Sequence, residues 1–205
     1  MKKHFLLIPF LLFALFAFKM SDPTAKILTS PEIIWCGFDF SEVRCIGSEG
    51  FTDPEKIKNT YFKALNDLVL NESFKYDIKR FYHKSKQISD LSIVRERNKL
   101  PKIDEFIINE PYSFKKGQLE KIIKNYNFED TNGLGLVYII ESLNKTYKIA
   151  TVDVVFFDIA SKNIVWTKQY KKEPRGFGFR NYWAKAFYET MYSSGRDFKR
   201  AIKKL

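Results

Sequence analysis

The stretch whose residue types come nearest to a ligand site is Arg175-Gly176-Phe177-Gly178-Phe179-Arg180, followed closely by Tyr182 and Trp183. Two glycines let a backbone approach a ligand closely. A helix predicted to start near residue 180 would aim its first amides at the same place, an arrangement that favours anions. Arg175 and Arg180 would add charge, and Tyr182 and Trp183 would add stacking faces. The spacing is neither a dinucleotide-binding GxGxxG nor a P-loop. The plainer alternative is a tight turn whose aromatics pin the last helix to a sheet.

Other chemistry is thinly represented. Histidine occurs twice, as His4 and His83. A Ser-His-Asp or Cys-His site needs an imidazole beside a nucleophile, and His83 stands in a Lys/Arg-rich stretch. Neither a catalytic triad nor a zinc set is expected, and no cofactor is implied. Cys36 and Cys45 are the two cysteines. On one continuous strand they would lie about 30 Å apart at roughly 3.3 Å per residue, beyond the reach of a disulfide. A turn near Gly37 or Ser41 would bring them together. A disulfide and two separate buried thiols are therefore the two readings. Asp39, Glu42, Asp153 and Asp158 are the carboxylates in or near predicted strands from which a hydrolytic pair would be drawn. Lys79, Arg80, Lys84, Lys86, Arg95 and Arg97 form a basic patch within residues 75–99 that suits an acidic partner. A solvated face is the plainer reading of that patch.

These residues depend on a small set of elements. Ile33, Ile34, Trp35, Phe38, Phe40, Val43 and Ile46 predict a strand region over 32–46, broken near Gly37. Thr52 or Asp53 can cap a helix with Pro54 in its first turn, and Ile57, Tyr61, Leu65, Leu68 and Val69 form its apolar face. Residues 72–103 read as a basic, partly irregular insertion. A short strand over 105–109 and a helix from 113 to about 126 follow. Alternating residues then predict three strands joined by turns at Asn144-Lys145 and residues 158–163, with the Thr151 and Asp153 face partly wet. Trp183, Phe187 and Met191 line the last helix, which Gly195 is expected to break or end. The expected fold is α+β: a mixed sheet of about five strands with an antiparallel C-terminal meander and helices packed on one side.

The chain has 205 residues, a formal charge of +11 and 17% aromatic residues, too apolar and aromatic for a disordered chain. Residues 1–20 carry a basic start and an unbroken apolar run from Phe5 to Phe18. That run is the length of a signal-peptide core and short of the roughly 20 residues that span a bilayer. Leu15-Phe16-Ala17 matches a cleavage site poorly, so a soluble exported chain and an N-terminally anchored one are both consistent with it. The remaining organisation is a linker over 21–31 and one domain over 32–205. The segment removed by cleavage holds three lysines and no acids, so the domain stays basic.

Residues 154–166, VVFFDIASKNIVW, resemble a strand–Asp–turn–strand pattern ending in Trp. That pattern belongs to a group of envelope domains: the N-terminal domain of the Tol-system translocation protein, the outer-membrane activators of penicillin-binding proteins, and the curli-secretion lipoprotein. GFDFSEVRCIG (37–47), FTDPEKIK (51–58) and GFGFRNYWA (176–184) look like blocks of uncharacterised exported proteins of Bacteroidetes-type bacteria. The first cysteine, at 36, is too far along to be the lipidated residue of a lipoprotein. The resemblance implies a periplasmic or secreted envelope protein. Its expected role is a non-enzymatic binding or adaptor module for an envelope protein or an anionic cell-envelope polymer. Nucleic acid is not an expected partner. A hydrolase acting on an envelope substrate is the alternative.

Overall fold

The computed structural model describes residues 23–129 and 132–205. The expected signal peptide at 1–20 lies outside the described residues. The expected linker at 21–31 holds in part a short helix, α1 (Pro23–Leu28).

The sheet is built around its longest strand. Residues 134–143 form a nearly unbroken apolar run, the signature of a strand covered on both faces, and β5 (Leu134–Asn144) is buried along almost its whole length. β1 (Glu32–Asp39) and β2 (Arg44–Ile46) lie end to end along one edge of β5, both parallel to it: β1 pairs with Gly135–Ile139 and β2 with Ser142–Asn144. β3 (Lys86–Ser89) adds in parallel outside β1, and β4 (Ile107–Ile108) in parallel outside β2. On the other edge of β5, β6 (Ile149–Asp158) and then β7 (Asn163–Lys172) pair antiparallel.

Helices fill the crossovers. α2 (Pro54–Lys56) runs through a π-helical turn (Ile57–Tyr61) into α3 (Phe62–Asn71). Asp53 caps its start by accepting from the Lys56 amide at 3.0 Å. α4 (Ile78–Tyr82) precedes β3, and α5 (Ser92–Arg97) follows it. α6 (Gln118–Lys124) precedes β5. The chain closes with α7 (Phe179–Ile202).

The expected fold class is corrected on three points. Among the described residues the sheet has seven strands, not about five. Five of them run parallel through helical crossovers, so the region 72–103 is no irregular insertion: it holds α4, β3 and α5 and closes the β1-to-β3 crossover. Helices also cover both faces. Phe156 stacks on Phe198 of α7 at 4.2 Å, while its neighbour Phe157 points the opposite way to meet Tyr126 at 5.8 Å, just beyond α6. Sequence alternation alone could not show this, because a covered polar face and a wet one read alike. The face of Thr151 and Asp153, expected to be partly wet, is buried for both residues.

Beyond the reach of β3, the outer edge of β1 is finished by two buried amides. Asn66 of α3 accepts from the Phe38 amide at 2.7 Å and donates to the Phe38 carbonyl at 3.0 Å. Asn98 accepts from the Phe40 amide at 2.6 Å and donates to the same Phe38 carbonyl. They satisfy an edge that would otherwise leave buried peptide groups unpaired.

The buried polar face carries a titratable group. Gln169 donates to Glu141 and to Asp153, each at 3.3 Å. Burial, with a smaller contribution from the Glu141 charge, pushes the Asp153 carboxyl up to about 6, against a partial opposing pull from the Gln169 amide. Its folded value thus lies above its unfolded value near 4. The protonated acid binds the fold better, so its stabilisation is full below about pH 4 and is lost as pH rises through about 6. Asp153→Asn is therefore expected to match the parent at pH 4 and to exceed it in stability at pH 7. Paired thermal melts at the two pH values check this, and an unchanged difference between them would refute it.

Candidate functional site

The site begins with a close helix crossing. Asp77 caps α4 by accepting from the Arg80 amide at 3.0 Å, and His83 ends the helix in a left-handed conformation (φ 54°). The inner side of this short helix, Ile78 and Tyr82, is buried. The Tyr82 hydroxyl pairs with that of Tyr138 on β5 and lies 2.6 Å from Ser194 Oγ on α7. Gly195 sits where α4 and α7 touch: a Cβ there would press on the Phe81 carbonyl oxygen. The final helix therefore continues through Gly195 to Ile202, correcting the expectation that it ends there. The glycine serves helix contact, not helix termination.

This crossing turns the outer sides of α4 and α7 into the walls of a groove of about 560 Å³. Tyr188, Tyr192, Arg196 and Lys199 follow one another at i, i+4, i+8 and i+11, one stripe of α7, and line one wall. Phe74, Lys75, Asp77, Arg80, Phe81 and His83 line the other. The Phe74 side chain is 95% exposed and Tyr192 51%. Among the described residues Arg80 and Lys199 have no ion-pair partner within 4.0 Å, and Arg196 lies 4.8 Å from the centre of the Tyr192 ring. Lys75 reaches Glu72 only at 3.7 Å and rests over the rings of Tyr76 and Tyr188. Among the described residues Asp77 is the one acid of the lining, and it is engaged as the cap. Burial, then the charges of Lys199 and Lys203, lower the His83 imidazole below its usual value. The groove is thus a cationic, aromatic-walled surface with little internal neutralisation.

A second cationic cleft, of about 470 Å³, lies against α3 and α5 and is lined by Lys58, Lys63, Arg95 and Lys99. Its charges are largely compensated: Lys63 and Arg95 pair with Asp67, and Lys99 pairs with Glu96.

The structure disperses the basic patch expected from sequence. Arg80 lines the groove and Lys79 is exposed beside it on α4. Lys84 is buried and donates to the carbonyls of Leu28 and Ser30, and burial lowers its ammonium to about 8. Lys86 pairs with Glu32 and Arg95 with Asp67, while Arg97 is an internal partner of Asp39. Lysines and arginines adjacent in sequence point to different sides of a crossover that turns through helix, strand and helix.

The residues of the 175–183 stretch do gather at the start of α7. Gly176 and Gly178 adopt positive φ (116° and 76°), which non-glycine residues rarely take. The aromatics, however, face inward. Trp183 is fully buried and stacked against Phe51, Phe179 stacks on Tyr61 at 4.6 Å, and Lys145 Nζ covers the Tyr182 ring at 3.8 Å. Arg175 pairs with Glu173, and Arg180 bonds Asn181. Packing of the last helix accounts for every aromatic in the stretch except the exposed Phe177.

Cys36 and Cys45 are buried free thiols rather than a disulfide. They lie on β1 and β2, which continue one another along β5 instead of folding back. Burial raises both thiols well above the usual range, so neither is a ready nucleophile.

Of the candidate carboxylates, Asp153 shares the Gln169 amide with Glu141, a residue of β5 outside the set expected from sequence. Glu141, but not Asp153, lines a cleft of about 360 Å³ together with Gln169, Tyr112 and Lys171 among others. Glu141 Oε2 accepts from the Phe114 amide at 2.7 Å and so ties the segment before α6 onto the sheet.

No family model matches the chain, and no curated protein matches it. Among the described residues no helix is long and apolar enough to cross a membrane.

Proposed function

We propose that this is an exported envelope protein that works as a binding module for an anionic partner, which it holds in the groove between α4 and α7. One observation carries the reading: Lys75, Arg80, Arg196 and Lys199 converge on a concave aromatic surface whose only acid is spent on a helix cap. Cations left largely uncompensated at such a surface raise the local concentration of anions and steer their approach. The basic, apolar N-terminal segment and the resemblance to exported envelope domains support the placement outside the cytoplasm.

The test is retention on immobilised polyphosphate as salt is raised. The parent should elute at high salt, because exposed charges are screened over about 10 Å at 0.1 M. The triple variant Arg80→Ala, Arg196→Ala, Lys199→Ala should elute at markedly lower salt. A matched triple, Lys58→Ala, Lys63→Ala, Lys99→Ala at the second cleft, should elute with the parent. Equal losses in the two variants would reduce the groove to bulk charge and overturn the reading.

A further inference from the structure

We infer that the partner of the groove is the surface of an anionic phospholipid bilayer; this rests on the anionic-partner reading above and narrows it. The carrying observation is Phe74. It stands on the turn between α3 and α4, almost wholly in water, at the rim of the same groove that holds Lys75, Arg80, Arg196 and Lys199. The turn is closed by the Lys75 and Tyr76 amides donating to the Glu72 carbonyl at 2.9 and 3.0 Å, so the ring is held outward by local structure. A soluble polyanion would satisfy the cations and leave that ring hydrated. A bilayer interface accommodates both groups at one depth: aromatic rings at the headgroup level and cations at the phosphates. Tyr192 has the same amphipathic form, a half-exposed ring beneath the Arg196 guanidinium. The contact is peripheral, made by a preformed face of the domain.

The test measures partitioning of the full chain onto vesicles of phosphatidylglycerol mixed with phosphatidylcholine, against vesicles of phosphatidylcholine alone. The N-terminal segment, where retained, is basic as well as apolar and would itself favour anionic vesicles, so the groove's share is read from each variant against the parent, which carries the same segment. The parent should prefer the anionic vesicles. Each of Arg80→Ala, Arg196→Ala and Lys199→Ala should lower that preference roughly fivefold, the effect of about 1 kcal/mol per cation. Phe74→Ser should lower binding to anionic vesicles roughly tenfold, the loss of one inserted ring, and leave retention on polyphosphate unchanged. Unchanged vesicle binding by Phe74→Ser would overturn the inference. Parent protein that binds polyphosphate but not anionic vesicles would overturn it while sparing the groove. Failure to bind either would remove both.

Discussion

Replacing Arg97 by Met is expected to cost the fold about 3–5 kcal/mol, the largest single loss anticipated for this chain. Asp39 ends β1, and its side chain is completely removed from solvent. Arg97 Nε donates to Asp39 Oδ2 at 3.0 Å, and Arg97 Nη2 to Ser41 Oγ at 2.8 Å. The Tyr126 hydroxyl donates to the same carboxylate oxygen at 2.6 Å, and the Ser41 amide to the other oxygen at 2.7 Å. One carboxylate thus joins β1, the loop that follows it, α5 and the end of α6. Loss of the guanidinium leaves a buried anion with neutral donors alone, and desolvation is then uncompensated. The urea midpoint should fall with an unchanged slope, and the melting temperature should drop by roughly 6–20 °C for a chain of this size. Asp39→Asn combined with Arg97→Met should lose less than the two single losses together, because the second change removes the stranded charge. A loss below about 1 kcal/mol, the range of exposed pairs, would show that the pair is solvated and contradict the account.

The same arginine shows what a sequence can and cannot disclose. Asp53 and Pro54 announce a helix start through local chemistry, and the helix is there. The final helix is legible from Trp183, Phe187 and Met191, all buried at helical spacing. Such signals are carried by neighbours in the chain. Arg97, Lys84, Asn66 and Asn98 look like ordinary surface residues because their partners lie 28 to 60 positions away. The short strand expected over 105–109 is present as β4, but its parallel pairing, like the four-residue β3 itself, was hidden for a related reason: the partners lie across long crossovers. The groove was half legible. Lys75, Arg80 and His83 belong to the basic stretch, but the Tyr188-Tyr192-Arg196-Lys199 stripe is a second helical face whose charge and aromatics become a wall only after α4 crosses it. That stripe could have been found by reading both faces of the last helix instead of its apolar face alone.

Gly195→Ala is the change that joins stability to the proposed site. In an isolated helix it would stabilise, since Ala exceeds Gly by about 1 kcal/mol in helix propensity. Here the added Cβ meets the Phe81 carbonyl oxygen, a backbone atom that no rotamer can move aside. α4 must shift, and with it Tyr82, whose hydroxyl is bound to Tyr138 and Ser194 in the core. Overpacking of this kind costs about 1–3 kcal/mol, and the misplaced hydroxyl adds to it by losing buried partners. A net loss of about 2 kcal/mol is expected despite the better helix former, read as a lower denaturation midpoint. The walls of the groove are these two helices, so their separation should also weaken retention on polyphosphate, although no cation has been removed. Stabilisation by Gly195→Ala would mean that the helices do not cross as closely as described. A loss of stability with full retention would mean that the groove does not depend on their spacing. The combined loss is the outcome that a groove shaped by the α4–α7 contact requires.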